Sequence, residues 1–494
     1  MKPSLSHIIL FLTSLCCSTA FAQGVDDAIN FTQIRYEGTA RSMAMGGATG
    51  AMGGDFTATY INPGGLGLYR SSEFTFTMGL QNTNTVSNYY GTGQSSSKTR
   101  LSIPSVSFVM GEEVSNYMPL RYVQFGFGLT RTNDFSHLST ASGVNPNSSM
   151  VDTYLQTANG IDELLNVYSD PGDYFDTHYP YDLNLAWKSY LIDRYHNSEE
   201  DYYYFDSPVP PGNVSQKDVV SCKGRSEEWT FAMSGNFFDK LFVGSSIGLT
   251  HLKRISKRTY TESSLDGGFD SWAHQEDLAD TAWGVNFKCG LIYYPASWFR
   301  VGAAWHSRTR STIGEVWSTE TEARFNGYQK PYSPILYQTY EFRTPHLFTG
   351  SLAILFPSTG MLTADVDYLD YSTSQFIGED FSNANDDIKA ILKPSLNIRV
   401  GMEWRLRQYF VRSGAAYYGS PFGFGECYGS TKKLALGIGY ATDSETTWDF
   451  AYELSRRVRG YTPYQYYVDG ENIVDDVVQH YWRNKLVVTM RVKF

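Results

Sequence analysis

The chain has 494 residues and a formal net charge of −11, which argues against a nucleic-acid partner bound through a basic surface and fits acidic, solvated loops. Its five cysteines are too few for a disulfide framework and none joins a His or Cys cluster of metal-ligand spacing, so no cofactor or metal is expected. Mean hydropathy is −0.33 and no apolar run after the first residues approaches the roughly 18 that a spanning helix needs, yet a window average misses a spanning strand, in which only every second residue meets lipid.

Met1 and Lys2 lead into an apolar stretch from Ile8 to Leu15 and then the Ala20-Phe21-Ala22 triplet. This is the pattern of a secretory signal at residues 1–22, cleaved before Gln23. Cys16 and Cys17 lack the small preceding residue that a lipoprotein signal needs, so no lipid anchor is expected.

Residues 23–72 are rich in Gly, Ala and Met, as in ARSMAMGGATGAMGGDFTATYINPGGLG. They read as short helices and tight turns, with Asn62-Pro63-Gly64-Gly65 as the firmest turn signal. Buried-type Met and Ala distinguish the segment from a flexible polar leader and point to a plug inside a lumen.

From residue 73 the period becomes 2. Phe74, Phe76, Met78 and Leu80 alternate with Thr75, Thr77, Gly79 and Gln81; Val123, Phe125, Phe127 and Leu129 alternate with Gln124, Gly126, Gly128 and Thr130. Farther on, Leu396, Ile398, Val400, Met402 and Trp404 alternate with Asn397, Arg399, Gly401, Glu403 and Arg405. Charges keep to one face, as they would where lipid meets the other. Strands are expected near 73–83, 101–112, 120–131, 226–236, 240–252, 282–294, 298–308, 343–356, 361–371, 394–405, 408–418, 431–442, 446–456 and 484–494. That gives an all-β transmembrane antiparallel barrel of about 14 strands over 73–494, its short connections alternating with long ones at 132–225, 253–281, 309–342, 372–393 and 457–483. A soluble sandwich shows the same alternation, and strand length and loop asymmetry favour the barrel. Many of the 37 Tyr and 10 Trp fall at strand ends, such as Trp229, Tyr293, Trp298, Trp305 and Tyr417, as an aromatic girdle would.

The longest connection, 132–225, is the candidate outer capture loop. Ile161, Leu164, Leu165 and Tyr168 follow helical spacing, as do Leu183, Trp187, Tyr190 and Leu191, so a helical hairpin could offer an apolar groove or pack its two faces on each other. The last segment, Leu486 to Phe494, is one more alternating strand ending in phenylalanine, similar to the signal read by the outer-membrane insertion machinery.

The run Ala40-Arg41-Ser42-Met43-Ala44-Met45-Gly46-Gly47-Ala48, with Asp55, the Asn62-Pro63 turn and barrel phrases at 290–307, 363–372 and 406–423, resembles the FadL/TodX family of outer-membrane transporters of long-chain fatty acids and hydrophobic compounds. That resemblance covers essentially the whole chain after the signal. It implies an integral protein of the bacterial outer membrane, surrounded by lipid and lipopolysaccharide and working as a monomer. It also implies a hydrophobic ligand caught by outer loops, a lumen closed by an N-terminal hatch with Asp55, Asn62, Pro63 and Gly64 as gating residues, and sideways release beside a kinked strand. Where the family's turn reads Asn-Pro-Ala, this chain has Gly64, which puts the rigidity of the plug in doubt. The third strand, with Gly126 and Gly128, is the candidate lateral opening, although these glycines could instead face a crowded plug. For an acidic ligand head the candidates are Arg399, Arg405 and Arg412, or these arginines neutralise Asp365, Asp367, Glu403 and Asp449.

An enzyme is not expected: Ser245, Ser246 and His251 share one strand, but the histidine is five or six residues away and no third group orients it. A structural or adhesive barrel is one alternative. A haemin receptor, with His137, His178 or His196 as ligands, is another.

Overall fold

The computed structural model describes residues 24–114, 117–166, 170–177, 181–265, 269–324, 328–423, 429–443 and 445–494. Residues 1–22, Tyr168, His178 and Cys427 lie outside that set. The wall consists of β1 (Glu73–Tyr89), β2 (Thr92–Glu113), β3 (Leu120–Asp134), β4 (Val214–Phe237), β5 (Leu241–Ser264) and β6 (Ser271–Ala296). The next two strands are each interrupted once: β7 is Phe299–His306 resumed as Arg310–Arg324, and β8 is Leu336–Arg343 resumed as Leu347–Phe356. The remaining strands are β9 (Gly360–Asp370), β10 (Pro394–Leu406), β11 (Tyr409–Tyr418), β12 (Thr431–Ala441), β13 (Thr446–Tyr461) and β14 (Val477–Lys493). Each pairs antiparallel with its neighbour, and β14 returns to β1 in a long unbroken register from Glu73↔Lys493 to Asn88↔Val478. Fourteen strands thus close into a barrel, in which every strand has a neighbour on both sides over at least part of its length.

Alternation sorts the side chains as the sequence implies. On β10, Leu396, Ile398, Val400, Met402 and Trp404 point outward, each 37–51% exposed, while Asn397, Arg399 and Glu403 between them are buried. Outward apolar residues recur on every side, for example Met78 and Leu80, Phe125 and Phe127, Phe231 and Met233, and Leu434 and Leu436. Leu396 to Trp404 covers roughly 26 Å of strand, about 20 Å of depth once tilt is allowed for, which matches the lipid band of such barrels. No helix among the described residues is long and apolar enough to cross a membrane; a barrel crosses with strands.

The strands run farther at the long-loop end than the alternation suggests. β4, β5 and β6 have 24, 24 and 26 residues, and their outer halves carry polar residues on both faces, as water on both sides permits. The turn at Tyr90-Gly91, with φ of 43° and 74°, joins β1 to β2 as a two-residue hairpin.

Within 132–225, the chain first continues the wall as His137–Asn145, paired with β4. It then forms α4 (Met150–Asn159), α5 (Asp162–Asn166), α6 (Pro171–Thr177), α7 (Tyr181–Lys188) and a hairpin of Asp193–Asn197 with Tyr202–Asp206. Leu164, Leu183, Leu191, Phe205 and Trp272 share one buried cluster with Trp187 packed against it. Of the two readings open from sequence, the apolar faces pack on one another. Glu262 at the top of β5 fastens this cap, accepting hydrogen bonds from Ser149 Oγ (2.5 Å), the Met150 amide (2.9 Å), Tyr260 Oη (2.7 Å), Gln216 Nε2 (2.9 Å) and Trp272 Nε1 (3.0 Å).

The lipid face makes a testable demand. Val400→Arg should destabilise the barrel by about 2–4 kcal/mol in a denaturant titration from lipid vesicles. Gly401→Ser is not the mild change that its lumen side suggests, because a Cβ there would stand 2.5 Å from the Met45 carbonyl of the plug. It should displace the plug and raise ion conductance, and a silent Gly401→Ser in planar bilayers would count against this packing.

Candidate functional site

Residues 24–72 pack against lumen-facing residues of the wall. They form α1 (Val25–Thr32), α2 (Ala40–Ala44), α3 (Phe56–Ile61) and a 3₁₀ turn at Pro63–Leu68. Each later turn begins on a side-chain cap: Thr39 Oγ1 accepts from the Ser42 amide, the Asp55 carboxylate from the Thr57 amide at 2.9 Å, and Asn62 Oδ1 from the Gly64 amide at 3.0 Å. Asp55 also accepts from Thr39 Oγ1 at 2.7 Å, which ties α2 to α3. Asn62 Nδ2 donates to the Gly50 carbonyl (2.8 Å) and to the Leu291 carbonyl of β6 (3.0 Å), so one amide joins the turn both to the plug and to the wall. The expected gating residues are therefore caps and fasteners. Gly64 is there for close approach: a Cβ on it would lie 2.9 Å from the Leu291 Cα and 3.0 Å from the Phe242 carbonyl. Close fit rather than looseness accounts for the glycine.

Charge keys the plug to the wall. Arg41 donates to both oxygens of Glu403 (2.8 and 2.9 Å), Arg412 to Glu403 and Asp449 (2.6 Å each), and Arg491 to Asp449 (2.9 Å). The result is one alternating chain from α2 across β10, β11 and β13 to β14. Beside it, Arg399 is fully buried between Asp365 and Asp367, donating to Asp367 through both terminal nitrogens and to Asp365 at 3.3 Å. Farther up, Lys485 meets Glu37 at 2.5 Å and Arg254 meets both Asp27 and Asp280.

Arg399 and Arg412 are thus each paired with two carboxylates, the neutralising role of the two weighed from sequence. Arg405 is not in the lumen; it lies exposed where β10 turns into β11, its Nε donating to the Arg407 carbonyl at 3.2 Å. Its alternation parity is right, but the strand ends before a lumen residue is possible.

Above the ion network lies a polar cavity of about 410 Å³, bounded by the start of the plug, by Asn133 to His137 and by the outer halves of β13 and β14. It adjoins an interruption in the wall. β2 and β3 are paired only from Ser105↔Thr130 to Glu113↔Tyr122; beyond Pro104, β2 keeps its ladder with β1 alone. On the other side β3 breaks at Phe135-Ser136, and His137–Asn145 pairs only with β4. Side chains bridge the gap in place of a ladder: Lys98 Nζ donates to the Cys222 carbonyl (2.9 Å), Arg100 to Ser136 Oγ (2.7 Å) and the Gly224 carbonyl (3.0 Å), and Ser96 Oγ and Thr140 Oγ1 lie 3.0 Å apart. Leu101 and Ile103, 65% and 45% exposed, place its lower end in the apolar band. Gly126 and Gly128 lie below the break in the fully paired part, where Phe56 and Leu66 of the plug press on them. The third strand is interrupted, but at Phe135-Ser136 rather than at its glycines.

The other candidates stay apart. Ser246 faces the lumen while His251 points outward against Trp283, ring centroids 4.4 Å apart; Ser245 is on the side of His251 but roughly 20 Å down the strand. His137 Nδ1 is within 2.9 Å of the Phe135 carbonyl, and His196 sits on the exposed hairpin beside Asp201. Among the described residues no group of three metal-ligating side chains forms. Tyr190 is in an exposed turn at φ 59°.

Two solved structures share this architecture. A Pseudomonas aeruginosa FadL homologue is similar at TM-score 0.57 and 10% identity, over 94% of this chain and 100% of that one. The P. putida toluene transporter TodX is similar at TM-score 0.52 and 14% identity, over 93% of this chain and 99% of that one. No family model matches the chain, and no curated protein is similar to it in sequence. At such identities the likeness establishes the fold.

The two kinds of arginine should separate by stability. Arg399→Gln leaves two buried carboxylates without their cation and should cost about 3–5 kcal/mol. Arg405→Gln should stay within about 0.5 kcal/mol of the parent. Thermal unfolding in detergent reads both, and equal losses would place Arg405 in the lumen network after all.

Proposed function

We propose that the chain is an integral outer-membrane transport protein that takes up hydrophobic compounds, of the long-chain fatty acid or hydrocarbon class, and releases them sideways into the membrane. The observation that carries this reading is the gap between β2 and β3. An unpaired wall segment in lipid is costly unless side chains or water cover it, and here cationic and hydroxyl side chains do so beside the lumen cavity. Sideways release also suits the cargo. Each methylene is worth roughly 0.8 kcal/mol on burial, so expelling a dozen of them into periplasmic water would cost on the order of 10 kcal/mol.

The plug serves this route by closing the straight path through the barrel. The two solved structures that share the fold, a FadL homologue and a toluene transporter, agree with the reading. The haemin alternative gains nothing from His137 and His196, which are far from any shared ligand geometry. The outer cap, whose apolar faces are spent on each other, offers capture mainly through exposed aromatics such as Tyr190 and Tyr202 to Tyr204.

Two experiments test the route. Cysteines at Ser96 and Thr140, whose hydroxyls are 3.0 Å apart, should form a disulfide that staples β2 to the segment after the break. Oxidation should then abolish uptake of a fluorescent fatty acid or a hydrophobic dye by cells, and reduction should restore it; uptake indifferent to a formed staple would rule the gap out as the exit. Deleting residues 24–70 should leave a closed barrel, because the ladder does not use them, and should open conductance in planar bilayers. A deletion no more conductive than the parent would remove the plug from the account.

A further inference from the structure

Eight cationic and four acidic side chains line the 410 Å³ cavity. Five of the cations are committed to carboxylates: Arg254, Arg258, Lys433, Arg459 and Lys485. Three are not. Arg35 donates to Gln33 Oε1 at 2.7 Å, Arg483 to the Asp134 backbone carbonyl at 3.1 Å, and neither reaches a carboxylate. Arg457 has no hydrogen-bond or ion-pair partner among the described residues, and the Nε atoms of Arg35 and Arg457 are buried with no acceptor. The Asp134 carboxylate is held by Arg100 and Arg131. One guanidinium comes from the plug, one from β13 and one from β14.

Three like charges round one cavity repel each other, and the carboxylates that act on them, Glu37, Asp26 and Asp134, are each shared with another cation. The contrast with Arg399 and Arg412, each given two carboxylates, is what makes the trio informative. Guanidinium groups left with free donors match an oxyanion, which accepts several N–H donors at once. A monocarboxylate would balance one of the charges and a phosphate monoester nearly two. The cavity also touches Phe135 and His137 at the break in β3, so a head group held there would leave its tail beside the gap and the lipid.

We propose that Arg35, Arg457 and Arg483 form a binding site for the phosphate-type head group of an amphiphile, held in the lumen while its apolar tail leaves through the gap. The site rests on the transport reading for its tail but not for its anion. Its ligand chemistry is narrower than that reading, which alone would accept an uncharged hydrocarbon.

The test uses the full-length protein in lipid nanodiscs and four soluble probes: hexyl phosphate, hexanoate, hexanol and inorganic phosphate, titrated calorimetrically. Hexyl phosphate should bind tightest. Arg457→Gln and Arg483→Gln should each weaken it about tenfold, the loss expected for one charge-assisted hydrogen bond, and leave hexanol unchanged. Arg457→Gln should not lower the melting temperature, since Arg457 has no hydrogen bond or ion pair to lose among the described residues, and hexyl phosphate should raise that temperature in the parent more than in either variant. Hexanoate binding as tightly as hexyl phosphate would overturn the assignment of a doubly charged head. Inorganic phosphate binding as tightly as hexyl phosphate would overturn the amphiphile and leave a free-ion site. Variants that bind hexyl phosphate like the parent would overturn the site itself. Should the anion site fail while the Ser96–Thr140 staple still blocks uptake, the transport reading stands without it; should the staple fail and the anion bind, the reverse holds.

Discussion

The structure depends on a constraint set by its own lumen: charged side chains that face inward along fourteen strands must find partners once a plug replaces the water. Glu403 is the clearest case. It sits on β10 between Arg412 of the neighbouring strand and Arg41 of the plug, so one carboxylate holds wall to wall and wall to plug. Ion pairs of this kind add little net stability over a well-packed apolar core, because desolvation opposes the attraction. Their value here is specificity. An apolar plug could settle in many positions, whereas Arg41, Glu37 and Asp27 each have one partner on the wall, and the close contact at Gly64 admits one depth.

Lipid and water explain how much of this was legible in the sequence. All fourteen strands announce themselves through the part of each that crosses lipid, since only there must one face be apolar and the other not. β5 continues to Ser264 and β13 to Tyr461, but beyond the band both faces are solvated and alternation ceases to be required, so those residues read as loops. The same boundary hid the arginine trio. Arg457 and Arg483 stood in or beside an apparent loop, although Glu453, Ser455, Arg457 and Arg459 keep the lumen parity of β13, and Arg483 that of Lys485 on β14. Parity carried past the last apolar residue would have found them. For Arg405 it misleads, because the barrel wall ends there.

The plug shows a different limit. Asp55 and Asn62 stand out because a cap or an Asx turn needs those side chains in that place, and the sequence shows the local need. What it does not show is the far partner. That Asn62 also reaches the Leu291 carbonyl, 229 residues away, or that Gly64 lies against the backbone of β5 and β6, follows only from the closed barrel. Gly126 and Gly128 illustrate the converse: glycine suggested a kink, yet the space they leave is taken by Phe56 and Leu66, and the strand is interrupted only past Asp134, at Phe135-Ser136.

The break and the unpaired arginines then belong to one argument. A sequence that gives Arg399, Arg412, Lys485 and Arg254 their carboxylates has the means to pair three more, and a wall that pairs β2 with β1 up to the hairpin turn has the means to pair it with β3 beyond Pro104. Departures from local consistency tend to collect where function requires them. Here both occur at the same height and border the same cavity. Pro104, lacking a donor, helps to end the ladder on the β2 side, while Lys98 and Arg100 hold the edges with side chains that can move where a ladder cannot. The cavity is lined by Phe135 and His137 at the break and by all three arginines, so an anionic head held there lies next to the part of the β2–β3 junction that has no ladder.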